Sequence, residues 1–271
     1  MKIVHIISVV IVLLAQPAFA SKNEALTAHD QNQIETQTRA MSAVGVPTEA
    51  ARNMLTMMHQ NRFSEDSIAR AQQVTMNCAK AGLPTEPVMS KAVEGMAKQA
   101  NEQQIVAAMA TVHSRYAQAN RLAKTMSKEK QTVDTMTQVI ADCLTAGMKT
   151  KDMDTVMTQL RTQTHTQTKN KNEKLAIQTM QTARTMARLG IRSSDVSDTL
   201  CQALNNNYNS QEMEQLRHQM AKQADQASHQ QTAHQHANSI GKGGNSRGGS
   251  GGSGGGSGGS GGGSGGSGGG S

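Results

Sequence analysis

Only five glycines stand in the first 240 residues of this 271-residue chain: Gly45, Gly82, Gly95, Gly147 and Gly190. The other 20 lie at or after Gly241. Four of the five share one frame, reading Val44-Gly45-Val46-Pro47-Thr48, Ala81-Gly82-Leu83-Pro84-Thr85, Ala146-Gly147-Met148-Lys149-Thr150 and Leu189-Gly190-Ile191-Arg192-Ser193. Each is an apolar residue, glycine, an apolar residue, proline or a base, then a hydroxyl residue. The pattern predicts a helix end followed at once by a helix start. Glycine at the C′ position takes the left-handed conformation without steric cost, and the apolar residue after it folds back on the last turn. Pro47 and Pro84 stop the first helix, and Thr48, Thr85, Thr150 and Ser193 are placed to cap the next one.

A body so poor in turn residues, with two Tyr, two Phe and no Trp in the whole chain, does not suit a sandwich, a barrel or a parallel-sheet enzyme. The expected class is all-α: irregular helical-hairpin repeats, stacked as an α-solenoid or closed into a helical bundle, with a disordered Gly/Ser tail. The glycines are 37, 65 and 43 residues apart, periods typical of helical-repeat arrays. The long middle interval has room for an extra helix from near Ser127 to Ala146.

The flanking positions carry the same message. Four residues before each glycine stand Met41, Cys78, Cys143 and Met186, and six residues after stand Ala51, Val88, Met153 and Val196. Apolar stripes at helical spacing run through Met54, Leu55 and Met58, through Ile68, Ala71, Val74 and Cys78, and through Met153, Val156, Met157 and Leu160. Ile105, Ala108, Met109, Val112 and Tyr116 form a longer one. Further helix starts are expected at Ser64, at Asn101 with Gln104 as a capping box, and at Ser210. The stretch from Thr162 to Lys171 has no apolar face and reads as a connector.

The two ends of the chain differ from its body. Residues 1–20 have the form of a secretory signal peptide, with Lys2, an apolar run from Ile3 to Ala15 and a cleavage site at Ala18-Phe19-Ala20. No Cys follows that site, so no lipid anchor is expected, and the protein is expected to be exported, periplasmic or extracellular. Residues 21–240 form the helical-repeat domain, and residues 241–271 the flexible tail. The tail ends in three copies of Gly-Gly-Ser-Gly-Gly-Gly-Ser from Gly251 to Ser271, a coil of roughly 25 Å root-mean-square span.

The formal charge of +7 becomes +4 for residues 21–240 once Lys2, Lys242 and Arg247 are subtracted. Charges such as Arg62, Glu65, Asp66 and Arg70 are interspersed, and aromatic stacking platforms are lacking, so nucleic acid is not expected as a partner.

The segment from Gly82 to Lys98, with its G-L-P-T-E-P start and K-A-V-E-G-M-A-K continuation, resembles a motif of secreted bacterial helical-repeat proteins. The resemblance covers about one repeat and implies an all-α fold without a defined activity. The other three units keep the glycine frame but not the pattern of Lys91, Glu94 and Lys98, which reads as a surface ion-pair group.

Three groups of residues can be weighed for chemistry. Cys78, Cys143 and Cys201 lie in an exported chain, where a disulfide is one reading. The equivalence of Cys78 and Cys143 to Met41 and Met186 favours buried small hydrophobes. Met54, Met57, Met58 and His59 offer soft ligands suited to copper, against a packing role in a chain with 18 Met and few aromatics. His229, His234 and His236 are spaced by five and two residues, not the four that puts helical ligands on one face. No G-x-S-x-G, H-E-x-x-H, C-x-x-C or G-x-x-x-x-G-K is present, so neither catalysis nor a cofactor is expected. The resulting expectation is an exported, non-enzymatic helical-repeat scaffold for another protein or envelope component, with a periplasmic copper-binding protein as the alternative.

Overall fold

A computed structural model describes residues 26–164 and 169–223. Residues 1–20, expected as a signal peptide, His229, His234, His236 and the Gly/Ser tail lie outside the described residues. Among the described residues run ten α-helices and no strand. The first five are α1 (Ala28–Ser42), α2 (Thr48–Gln60), α3 (Glu65–Lys80), α4 (Glu86–Ala97) and α5 (Glu102–Lys124). The second five are α6 (Lys130–Thr145), α7 (Thr150–Thr164), α8 (Lys169–Arg188), α9 (Ser193–Asn205) and α10 (Ser210–Gln223).

Gly45, Gly82, Gly147 and Gly190 end α1, α3, α6 and α8 with φ between 68° and 105°. Each end closes in the same way. The amide after the glycine donates to the carbonyl five residues back: Val46 to Met41 at 3.2 Å, Leu83 to Cys78 at 2.9 Å, Met148 to Cys143 at 3.0 Å and Ile191 to Met186 at 3.2 Å. These are Schellman closures. Met41, Cys78, Cys143 and Met186 supply the accepting carbonyl while their side chains are fully buried. Ala51, Val88, Met153 and Val196, six residues after the glycines, are fully buried as well.

Three further helices end by the same closure without glycine. Arg62, Gln99 and Asn207 have φ of 58°, 54° and 59°, and Phe63, Ala100 and Tyr208 donate back to Met58, Gly95 and Ala203. The repeat is therefore denser than the glycines mark. Their phase also changes: they close α1 and α3 in the first half but α6 and α8 in the second, because the middle interval holds α4, α5 and α6.

The expected caps need correction. α2, α4 and α9 begin after Pro47, Thr85 and Arg192, and none of the three makes a side-chain cap hydrogen bond. Thr48 and Ser193 fall on the first helical residue instead, and their hydroxyls join neighbours. Thr48 Oγ1 pairs with Ser42 Oγ at 2.8 Å. Ser193 Oγ accepts from the Lys149 amide at 2.8 Å and donates to Asp152, fastening the start of α9 to that of α7. Ser64 and Asn101 do cap, accepting from the amides of Ser67 and Gln104. At α10 the capping box is made one residue before Ser210, by Asn209 and Glu212. Helix also covers part of the stretch expected as a connector, since α7 reaches Thr164 and α8 starts at Lys169.

The helices stack in two rows. Among odd-numbered helices α1 packs on α3, α3 on α5 and α7 on α9; among even-numbered ones α2 packs on α4, α6 on α8 and α8 on α10. Row neighbours run parallel: Asp152 meets Ser193 near the starts of α7 and α9, and Gln159 meets Asn205 further along. Likewise, Glu102 at the start of α5 accepts from the amide and hydroxyl of Ser64 at the start of α3, at 2.7 and 2.9 Å. This is the solenoid-like form of the expected repeat fold. Between the rows lies a core rich in Met, Ala and Val, with Met54, Met58, Met109, Met136, Met153 and Met157 among its most buried members.

The middle of the molecule departs from the regular step. α5, with 23 residues the longest helix, packs extensively along α6. The antiparallel pair is tied by Tyr116 Oη donating to Gln138 at 3.0 Å and by Asn120 Nδ2 donating to Thr137 at 3.2 Å. Grooves open on both sides of this hairpin, towards α4 and towards α7. Among the described residues no helix is long and apolar enough to cross a membrane.

Candidate functional site

The cluster singled out by sequence divides in the structure. Met54 and Met58, one turn apart on α2, are fully buried in the core. Met57 is half-buried against its edge. His59 turns towards α1, where its Nδ1 stands 3.2 Å from Asp30 Oδ1. The four residues are close in sequence, but helical geometry divides them between the core, its edge and the side facing α1.

The His59–Asp30 pair is the arrangement closest to a reactive centre. The His59 side chain is 7% exposed, and its Nε2 is buried with no hydrogen-bond partner among the described residues. Asp30 also serves the α1 capping box, accepting from the Thr27 amide at 3.0 Å while its own amide donates to Thr27 Oγ1 at 3.1 Å. Hydrogen bonds from Thr27 hold the Asp30 carboxyl below its ordinary range, with His59 adding to the effect. In the neutral imidazole, a carboxylate acceptor at Nδ1 selects the tautomer with its proton there and its lone pair on Nε2. Such a carboxylate-oriented imidazole can serve as a base or a metal ligand. Asp30 and His59 line a pocket of about 350 Å³ with His29, Gln33 and Glu65. Among the described residues, however, no three or more His, Cys, Asp or Glu side chains form a metal-holding group.

All three cysteines are free thiols. Cys78 and Cys143 are fully buried, and burial pushes their thiols up to about 11 and about 12. Cys143 Sγ also lies 3.5 Å from the Met180 carbonyl. Cys201 is half-buried, and burial raises its thiol too. Thiolate, the nucleophilic form, is thereby disfavoured at all three. At the surface, Glu94 accepts from Lys91 at 2.8 Å and from Lys98 on its other side. These hydrogen bonds, Lys91 foremost, hold its carboxyl down to about 2.

The larger concave features flank the α5–α6 hairpin. One is an open groove of about 660 Å³ between α5 and the α6–α7 corner, where Ser114, Arg115 and Gln118 face Leu144, Met148 and Lys149. The other is a cleft of about 450 Å³ between the α3–α4 corner and the C-terminal end of α5. Neither was singled out from the sequence, because its walls are more than 25 residues apart along the chain.

No family model matches the chain, and neither does any curated protein or solved structure. The fold itself defines an all-α helical-repeat protein.

Proposed function

We propose that the protein is an exported, non-enzymatic helical-repeat scaffold that presents a polar, weakly basic surface to another protein or envelope component. The observation that supports this most is the interruption of the α5–α7 stack, which leaves the 660 Å³ groove open beside Arg115 and Lys149. Where row stacking is continuous, each helix covers the face of its neighbour; at this step polar, basic and apolar side chains stay available. Repeat arrays use concave surfaces of this kind for binding. The signal-peptide form of residues 1–20 supports export, and the likeness of the Gly82–Lys98 segment to secreted repeat proteins agrees with it.

A photo-crosslinking residue at Gln118, in the groove, tests the reading against the same residue at Ser90, on the exposed face of α4. A discrete heavier adduct from position 118 in intact cells, lacking at position 90, is the expected result. Identical patterns at the two positions, or no adduct at either, would remove the groove as the docking surface.

A further inference from the structure

Between Gln103 and Lys128 the chain carries Arg115, Arg121, Lys124 and Lys128 and no acidic residue. That window alone holds a charge of +4, equal to the whole excess of residues 21–240. Its C-terminal end lines the 450 Å³ cleft, where Lys124, Lys128 and Lys130 surround Asn120, with Ala81 and Val133 on the walls. The cleft continues past Gly82 and Asn120 towards Leu83 and Pro84.

The acids around the cleft are already engaged. Asp134 pairs with Lys130. Glu129 accepts from the Thr132 amide at 2.8 Å, capping α6. Glu173 accepts from Ser127 Oγ at 2.6 Å, and Ser127 Oγ in turn accepts from the Glu129 amide at 3.0 Å. These bonds fix the corner that carries Lys128. Lys124 and Lys128 are exposed, and among the described residues neither makes an ion pair, whereas Lys130 pairs with Asp134. Asn120, only 9% exposed, is held by Thr137 at the floor.

We propose that this cleft binds a small phosphate monoester with an apolar body, with Lys124 and Lys128 on the phosphate and Ala81 and Val133 against the body. Two unpaired ammonium groups match the charge of a phosphate dianion. Lysines act as point charges that suit a tetrahedral anion, whereas planar carboxylates favour the fork of arginine, which the cleft wall lacks. The volume is that of a small-molecule site. A fixed corner and a tethered floor residue spare the ligand the cost of ordering them. The site lies on the opposite side of the α5–α6 hairpin from the scaffold groove and stands independently of it.

Calorimetric titration of the full chain with phenyl phosphate tests this, with phenol and succinate as controls and with vesicles of phosphatidylcholine containing or lacking phosphatidic acid. Phenyl phosphate is expected to bind saturably, and phenol not at all. Affinity should fall about tenfold or more in the K124Q/K128Q double variant, equivalent to about 1.4 kcal/mol, and remain unchanged in a K91Q/K98Q control. Thermal melts confirm that both variants fold. Added capture by phosphatidic acid vesicles, lost in the double variant, assigns the ligand to a lipid headgroup; phenyl phosphate binding without it assigns a soluble ester. Binding of succinate as tight as that of phenyl phosphate, an unaffected double variant, or vesicle capture without phenyl phosphate binding overturns the proposal.

Discussion

Gly95 of α4 lies so close to Ile105 of α5 that a Cβ on the glycine would stand 2.6 Å from Ile105 Cγ1 and 3.1 Å from its Cδ1. Ile105 is almost fully buried, so it has little room to yield. Gly95 is thus the fifth body glycine, used for close approach and not for a turn. Gly95→Ala gains about 0.5–1 kcal/mol of helix preference but incurs about 1–3 kcal/mol of overpacking. The expected net effect is destabilisation of about 1 kcal/mol in urea unfolding. In an Ile105→Ala background the sign should reverse, and an unchanged sign there would disprove the contact as the cause.

The non-glycine helix ends make a complementary case. Left-handed backbone costs an L-residue about 1–2 kcal/mol, and Gln99 and Asn207 are exposed at such positions. Gln99→Gly should raise stability by about 0.5–1 kcal/mol after the entropy of the unfolded glycine is discounted, and Asn207→Gly by less, because Asn adopts this conformation more readily. Gly82→Ala, at φ of 68°, should lower it by a similar amount. Thermal melts of the three variants decide the matter by sign alone.

Much of this architecture is legible in the sequence because glycine is visible where the backbone turns left-handed. The framed glycines, the buried positions before and after them and the extra middle helix all follow from spacing. Arg62, Gln99 and Asn207 leave no such mark: their conformation is imposed by the packing of the next helix, and only the run Asn205-Asn206-Asn207 hints at it, since Asn tolerates that region. The hydroxyl caps fail for a local reason, as helices entered through Pro47 or Arg192 start one residue early. The lysine cleft escapes a whole-chain charge count because that count averages away the acid-free window from Gln103 to Lys128, and because Gly82 meets Asn120 only through folding.

The cysteines give a pH dependence with a definite sign. Thiols of Cys78 and Cys143 lie near 11 and 12 in the folded protein against an ordinary value of 9.0. A raised folded value means that the folded state keeps its proton longer. Stability from these groups is complete below pH 9 and is lost as pH rises from there towards 11–12. Iodoacetamide at pH 8 should modify Cys201 first, and Cys78 and Cys143 only on unfolding. Equal rates at all three would refute the burial.

Methionine packing can be separated from copper ligation in one variant set. Met54→Leu and Met58→Leu conserve volume and should cost less than about 1.5 kcal/mol each, whereas Met54→Ala should cost about 2–5 kcal/mol. Cu(I) titration of the parent and of a variant with Met54, Met57 and Met58 all changed to Leu tests the copper alternative directly. Stoichiometric uptake lost in the variant would assign the cluster to the metal; equal behaviour would leave it to the core.

The row stacking has a consequence for how such a chain is made. Each helix rests on neighbours one or two places along, and side-chain bonds of long reach, such as Ser127 to Glu173 and Gln159 to Asn205, join residues 46 positions apart. Contacts of this range close quickly, and segments that emerge first can settle first. Leaving a ribosome in extended form, the chain can assemble from its N-terminus pair by pair, each new hairpin docking on the surface the last one left bare, without waiting for its far end.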